Sequence, residues 1–432
     1  MIPELRTRFN DRFTQQNYTK LLELQENVCG TKVDFRIAET PIFVPIGLLN
    51  EMAEAGAELT LRLLANSTYL AAARRAIPSE FRVANETPRP HFLTADFALV
   101  RDALGNLVPR LVEIQAFPSV YGYQSALCSG YSEVFGLQEG LGWFLSGLNE
   151  TSYWELLRRT ILGKHQPENV VLTELDPQNQ KTLPDFLATS RGLGVAVVDI
   201  RSLEPIGNKL HYRNAEGQIV PIHRIYNRAI ADELIARQVQ LPFDLTHPWD
   251  VEWAGHPNWY FLISKFSIPW LAGSVADGPP VGHPAVPPAV FLSDFLQGDG
   301  RERLVSAGVN LPKSTGPDTT YSNLLLKPLF SFAGKGIQFD PTEGQLQAVP
   351  ADERHNFLLQ QRMHFVPNIE TPHGLTQAEI RILYLWPDGG DLTPAISLVR
   401  LGRGKMMGVD HNKNQEWVGA SAALFPMPES LG

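Results

Sequence analysis

Asp96, Glu113 and Gln115 are polar side chains set among apolar ones, in a pattern that could do chemistry. They sit in the stretch "TADFALVRDALGNLVPRLVEIQAFPS", residues 94–119. Leu111-Val112-Glu113-Ile114-Gln115 alternates as a strand does, and Asp102 to Asn106 carries turn residues, so the stretch predicts a hairpin with Asp96 on one arm and Glu113 on the other. Two carboxylates on adjacent arms can face one site. Mg²⁺ takes oxygen ligands and is commonly held by one or two carboxylates plus substrate phosphates, and a glutamine oxygen can join them. The same residues also suit solvated strand carboxylates. A glycosidase acid/base pair needs two carboxylates as well, but nothing else in the chain supports one.

A second group lies some two hundred residues later. In "LLLKPLFSFAGKGI" a strand lysine, Lys327, is followed by Gly334-Lys335-Gly336. Glycines let backbone N–H groups approach phosphate oxygens, and a lysine brings a compact positive charge to them. A plain hairpin with a solvated lysine fits the same letters. G-x-x-x-x-G-K-[ST] is absent, so this is no P-loop. Further basic residues, Arg224, Arg228, Lys265, Arg381, Arg400 and Lys413, are scattered. Arg381 and Arg400 stand out because they interrupt apolar strand patterns.

The elements that must hold these residues read as mixed α/β. Residues 1–80 are mostly helical in pattern, and Leu48, Met52, Ala55, Leu59 and Leu63 mark one amphipathic helix. The stretch from about 130 to 165 also reads as helix-rich. Residues 169–203 read as strand, helix, glycine stop at Gly192 and Gly194, then the strand Val195–Ile200. That βαβ unit implies a parallel sheet. "IVPIHRIYNRAI" (219–230) adds a strand with Arg224, Asn227 and Arg228 near its end, where open α/β sheets bind ligands. The proline- and glycine-rich run 275–290 reads as a surface loop or linker. Residues 357–367, 378–386 and 395–404 read as strands.

The 432 residues are enough for two or three packed subdomains, and 44% hydrophobic with 19% charged is an ordinary globular composition. A net charge of −9 argues against a nucleic-acid surface. Cys29 and Cys128 fit no metal spacing, the histidines form no helical H-x-x-x-H pair, and G-x-S-x-G is absent. No apolar run reaches membrane-spanning length, and "MIPELRTRFNDRF" lacks an apolar leader core, so the expectation is a cytoplasmic protein without a membrane partner.

Taken in order, these pieces resemble the ATP-grasp superfamily, and within it the circularly permuted, glutathionylspermidine-synthetase-like proteins, over roughly residues 90–420. In ordinary members the metal-binding E-x-N strand follows the ATP-binding lysines. In the permuted group an acidic hairpin of the form R-x-D … L-E-x-N comes first, as it does here. The resemblance implies Mg²⁺ ligands at Asp96, Glu113 and Gln115. It implies phosphate contacts from Lys265, Lys327 and the loop bearing Ser331, Gly334, Lys335 and Gly336. Gln360, Gln361 and Met363 would lie along adenine, and Arg381, Arg400 and Arg228 would face phosphate or substrate. The implied organisation is a helical region at 1–90, the metal hairpin and helices of the core at 91–165, a preATP-grasp-like α/β subdomain at 166–255, and the ATP-binding part of the core at 256–432. Two letters depart from the family pattern: Gln115 replaces Asn, and Thr94 replaces the arginine two before Asp96. The implied activity is an ATP- and Mg²⁺-dependent ligase joining a small-molecule carboxylate to an amine through an acyl phosphate. The alternative is a non-ligase nucleotide-binding protein or a kinase-like phosphotransferase on the same scaffold.

Overall fold

The computed structural model describes residues 1–275, 278, 281–313, 316–330, 336–407 and 414–427. Its centre is an antiparallel sheet in the order Gly419–Ser421, Thr393–Gly402, Gly374–Leu385, Phe92–Arg101, Leu107–Gln115. The last two strands are the acidic hairpin. Its turn is closed by Asp102, whose carboxylate accepts from Leu104 N at 2.9 Å and Asn106 N at 2.8 Å.

Alternation along these strands separates two faces. Leu93, Ala95, Phe97 and Leu99 join Ile380, Ile382, Tyr384, Val399 and Leu401 in the core. The opposite face carries Asp96, Glu379, Arg381 and Arg400. Each buried aliphatic side chain contributes about 1.5–3 kcal/mol, and a slip of one residue would drive those charges into the core, so the apolar face pins the register of the charged one.

The helix Ile46–Ala65 covers the apolar face. Its buried stripe is Leu49, Met52, Ala53, Gly56, Leu59, Thr60 and Leu63, with the expected Leu48 and Ala55 flanking it. Gly56 sets the approach distance: a Cβ there would lie 2.2 Å from the Tyr384 hydroxyl oxygen. That hydroxyl donates to Ala53 O at 2.8 Å.

Beside the central sheet lies a parallel sheet in the order Glu252–Ala254, Arg224–Asn227, Val170–Glu174, Ala196–Asp199. Its βαβ crossover is the helix Leu183–Leu193, which stops at Gly194 in the left-handed region with φ +77°. A third sheet, order Ala289–Phe291, Phe357–Gln361, Leu324–Pro328, Gln338–Phe339, is antiparallel throughout.

One expectation is corrected. Residues 283–290 are no surface loop: His283, Ala285, Val286 and Ala289 are buried. Leu111 N donates to Ala285 O at 2.7 Å, and the strand Ala289–Phe291 begins directly afterwards. Proline lacks an N–H but keeps its carbonyl, so a proline-rich run can still serve a sheet edge.

Candidate functional site

The charged face of the central sheet is the floor of a cavity of about 760 Å³. The third sheet contributes Leu325, Lys327 and Phe339 to one wall, and the parallel sheet contributes Glu174 and Arg228 to another. Nine lysines and arginines line the cavity against four glutamates. The chain as a whole carries −9, so the sign of the charge is inverted inside.

The floor is built by cross-strand pairing. Asp96 stands opposite both Glu113 and Arg381, and Arg400 stands opposite Glu379. Arg381 Nε donates to Asp96 Oδ1 at 2.5 Å, and its Nη2 donates to Oδ2 at 2.7 Å. Arg400 Nη1 donates to the same Oδ2 at 3.1 Å and also to Glu379. Burial opposes charge on Asp96, but Arg381 and Arg400 together hold its carboxyl below the usual range. Burial pushes the Glu379 carboxyl up, against the pull of Arg400.

A β-bulge lies between the pairs Asp96–Glu113 and Phe97–Leu111, and both Val112 and Glu113 reach the cavity. Glu113 Oε2 is 3.5 Å from Lys265 Nζ, and its Oε1 is 3.7 Å from Arg381 Nη2. Lys327 is buried, and its Nζ donates to Gln360 Oε1 at 2.6 Å. Burial, with Lys265 nearby, pushes the Lys327 ammonium down to about 8 despite the charge of Glu113.

The parallel-sheet wall is organised around Asp185. It pairs with Arg228 and accepts from Tyr123 N at 3.1 Å, which ties the start of the helix Tyr121–Val134 to this wall. Glu174, at the carboxyl end of its strand, is pushed up to about 8 by burial. Glu233 lines the same side.

Of the expected residues, Glu113, Gln115, Lys265, Lys327, Met363, Arg228, Arg381 and Arg400 line the cavity. Gln360 is fully buried behind Lys327. Gln361 is not in the lining, because successive strand side chains point to opposite faces: Gln360 pairs with cavity-lining Leu325, and Gln361 pairs with Leu324. Gly336 is exposed beside cavity-lining Ile337, with φ +79°. Asp96 is 1% exposed and lies beneath the surface of the cavity, not on it. Arg224 lies elsewhere, buried between Glu252, Asp388, His91 and Thr160 O. Ser331, Gly334, Lys335 and Lys413 fall outside the described residues.

Sequence reasoning missed Glu379, Glu174, Glu233, Arg362, Arg403 and Lys405, all in the lining. Glu379 could have been found, since "AEIRI" places it two positions from Arg381 on the same strand face. Glu174 ends the apolar run "VVLTE", the same signal that singled out Glu113.

The donor set can be tested against a divalent metal. Among the described residues no three His, Cys, Asp or Glu side chains form a metal cage. Mg²⁺ needs less, because it keeps waters and shares ligand phosphates. Glu113 and Gln115, both on the cavity surface, supply hard oxygen atoms and fit that partial role.

No family model and no curated protein matches this chain. Among solved structures it is similar to a glutathione synthetase-like effector from Globodera pallida in its apoform. The TM-score is 0.51 at 11% identity, over 95% of this chain and 98% of that chain. The two chains share a fold at that level. The likeness is one of fold, a mixed α/β chain with several sheets, and it is compatible with the expected ATP-grasp-like fold. Among the described residues no helix is long and apolar enough to cross a membrane.

Proposed function

We propose that the cavity binds Mg²⁺–ATP and that the protein is an ATP-dependent carboxylate–amine ligase on a circularly permuted ATP-grasp scaffold. The observation that carries this reading is the charge inversion: nine cationic side chains against four carboxylates, inside a chain of net charge −9. Such a cavity selects a ligand with several negative charges. Its volume of about 760 Å³ is within the range of small-molecule sites and leaves room for more than a nucleotide triphosphate tail.

Leu325, Ile337, Phe339 and Met363 offer apolar surface for a base. Lys327 and Lys265 suit the phosphates as compact charges. Glu113 and Gln115 would hold the magnesium ion, which supplies charge neutralisation between phosphates. Arg381 and Arg400 present guanidinium groups for bidentate pairing with a substrate carboxylate. That carboxylate would attack the γ-phosphorus, and ADP would leave. The amine would then add to the acyl carbon and expel phosphate, forming the amide. Glu233, on the opposite wall, suits a cationic amine. Catalysis of this kind is positioning and electrostatic stabilisation, for which the preformed charges of the floor are suited.

A second reading is favoured by Asp96, whose oxygens accept from two arginines, and by Gln115 in place of Asn. These fit a nucleotide-binding protein without ligase turnover, or a phosphotransferase. Purified protein incubated with Mg²⁺–ATP and metabolite pools separates the readings. The ligase releases ADP and phosphate only when a carboxylate and an amine are both present. A phosphorylated metabolite indicates a kinase, and tight ATP binding without turnover on any pair overturns the ligase reading.

A further inference from the structure

We infer that Asp96 is a positioning residue that fixes Arg381 and Arg400 as a paired anion clamp, and that a metal ion at Glu113 and Gln115 is held without it. The inference rests on the Mg²⁺–ATP reading above and departs from the ligand role the hairpin motif suggests for this aspartate.

Three observations carry it. First, the carboxylate is already engaged. Its two oxygens accept from Arg381 Nε at 2.5 Å, Arg381 Nη2 at 2.7 Å and Arg400 Nη1 at 3.1 Å. A carboxylate has about four lone-pair sites, so three charge-assisted bonds nearly saturate it. Second, Asp96 is 1% exposed and does not line the cavity, whereas Glu113, Gln115, Arg381 and Arg400 all do. A cation reaching Asp96 would have to pass two guanidinium groups of like charge. Third, the sheet register makes the arrangement intrinsic to the fold. Asp96 is the cross-strand partner of Arg381, and Arg400 pairs across the next strand with Glu379.

The consequence is a string of alternating charge along the floor: Arg381, Asp96, Arg400, Glu379. The Arg381 fork is held by Asp96 through two of its nitrogens, and its third, Nη1, donates to Ser119 Oγ at 3.1 Å. Both guanidinium groups keep a face toward the cavity without a rotamer search at the moment of binding, which is how preorganisation lowers the cost of binding. Without the aspartate, Arg381 would keep only Glu113 as a carboxylate partner, at 3.7 Å, and Arg400 only Glu379, and nothing would join the two guanidinium groups.

The test uses the full chain and the near-isosteric D96N, which keeps the shape and removes the charge. In metal-free protein labelled with ¹⁵N-arginine, wild type should show a slowly exchanging, downfield Nε–H resonance that disappears in R381K and also in D96N. A wild-type spectrum without that resonance, or one that survives in D96N, overturns the positioning role. Mn²⁺ and the non-hydrolysable ATP analogue AMPPNP then probe the metal. Relative to wild type, E113Q should weaken Mn²⁺ binding at least about tenfold, while D96N changes it by less than about twofold. A loss in D96N equal to that in E113Q overturns the inference and makes Asp96 a ligand. If wild type binds no AMPPNP with any metal, the nucleotide reading fails, and the arginine resonance alone decides the role of Asp96.

Discussion

Lys327 is a buried ammonium whose hydrogen-bond acceptor is a neutral amide oxygen, that of Gln360. Burial disfavours its charge and pushes it down to about 8. Below that pH the lysine is charged and can pair with phosphate. Above it the pairing is lost, because the folded environment releases the proton early. K327M should therefore weaken ATP binding by about ten- to a hundredfold near neutral pH, the worth of a charge-assisted hydrogen bond of roughly 1.5–3 kcal/mol. Wild-type affinity should fall by about tenfold between about pH 7 and about pH 9, and the K327M profile should be shallower over that range, keeping only the smaller effect of Glu174 ionising near pH 8. Calorimetric titration at several pH values checks both, and a wild-type profile as shallow as that of the mutant removes Lys327 from the phosphates. This residue and Glu113 were legible in the sequence because each interrupts an apolar strand pattern. Arg362 and Lys405 were not, because each looks like an ordinary surface charge until the fold brings them together around the Phe339 ring, at 5.3 and 5.6 Å.

At the scale of elements, the contact between the helix Ile46–Ala65 and the strand Gly374–Leu385 holds the charged face in place from behind. G56A would put a Cβ 2.2 Å from the Tyr384 hydroxyl oxygen, and the helix would have to lift. Overpacking of this kind costs about 1–3 kcal/mol. Denaturant unfolding should show that loss in G56A, with part of it recovered in G56A/Y384F, where the hydroxyl is gone. A G56A chain as stable as wild type would mean that the helix does not sit at that distance. The acidic hairpin, the βαβ unit and this helix were all legible, because periodicity and turn chemistry act locally. The bulge that brings Val112 and Glu113 to the cavity together was not, since it shows only in the pairing of two strands. The proline-rich run 275–290 misled for a related reason: composition reports loop chemistry, while burial of residues 283–290 comes from their neighbours.

For the whole molecule, the decisive property is that three sheets separated in sequence enclose one basic cavity in an acidic chain. The order of the parts, acidic hairpin before lysine strand, could be read directly. The identity of the substrates could not, because the cavity is lined by side chains such as Glu174, Glu233 and Arg403, which come from distant segments and share no motif. The most direct measurement of the central claim follows oxygen atoms through the reaction. With a carboxylate and amine pair that supports ADP release, the carboxylate is labelled with ¹⁸O and the released phosphate is weighed by mass spectrometry. Attack of the carboxylate on the γ-phosphorus predicts one ¹⁸O in each phosphate, carried over when the amine displaces it from the acyl phosphate. Phosphate free of label would contradict carboxylate activation and, with it, the ligase account of this cavity.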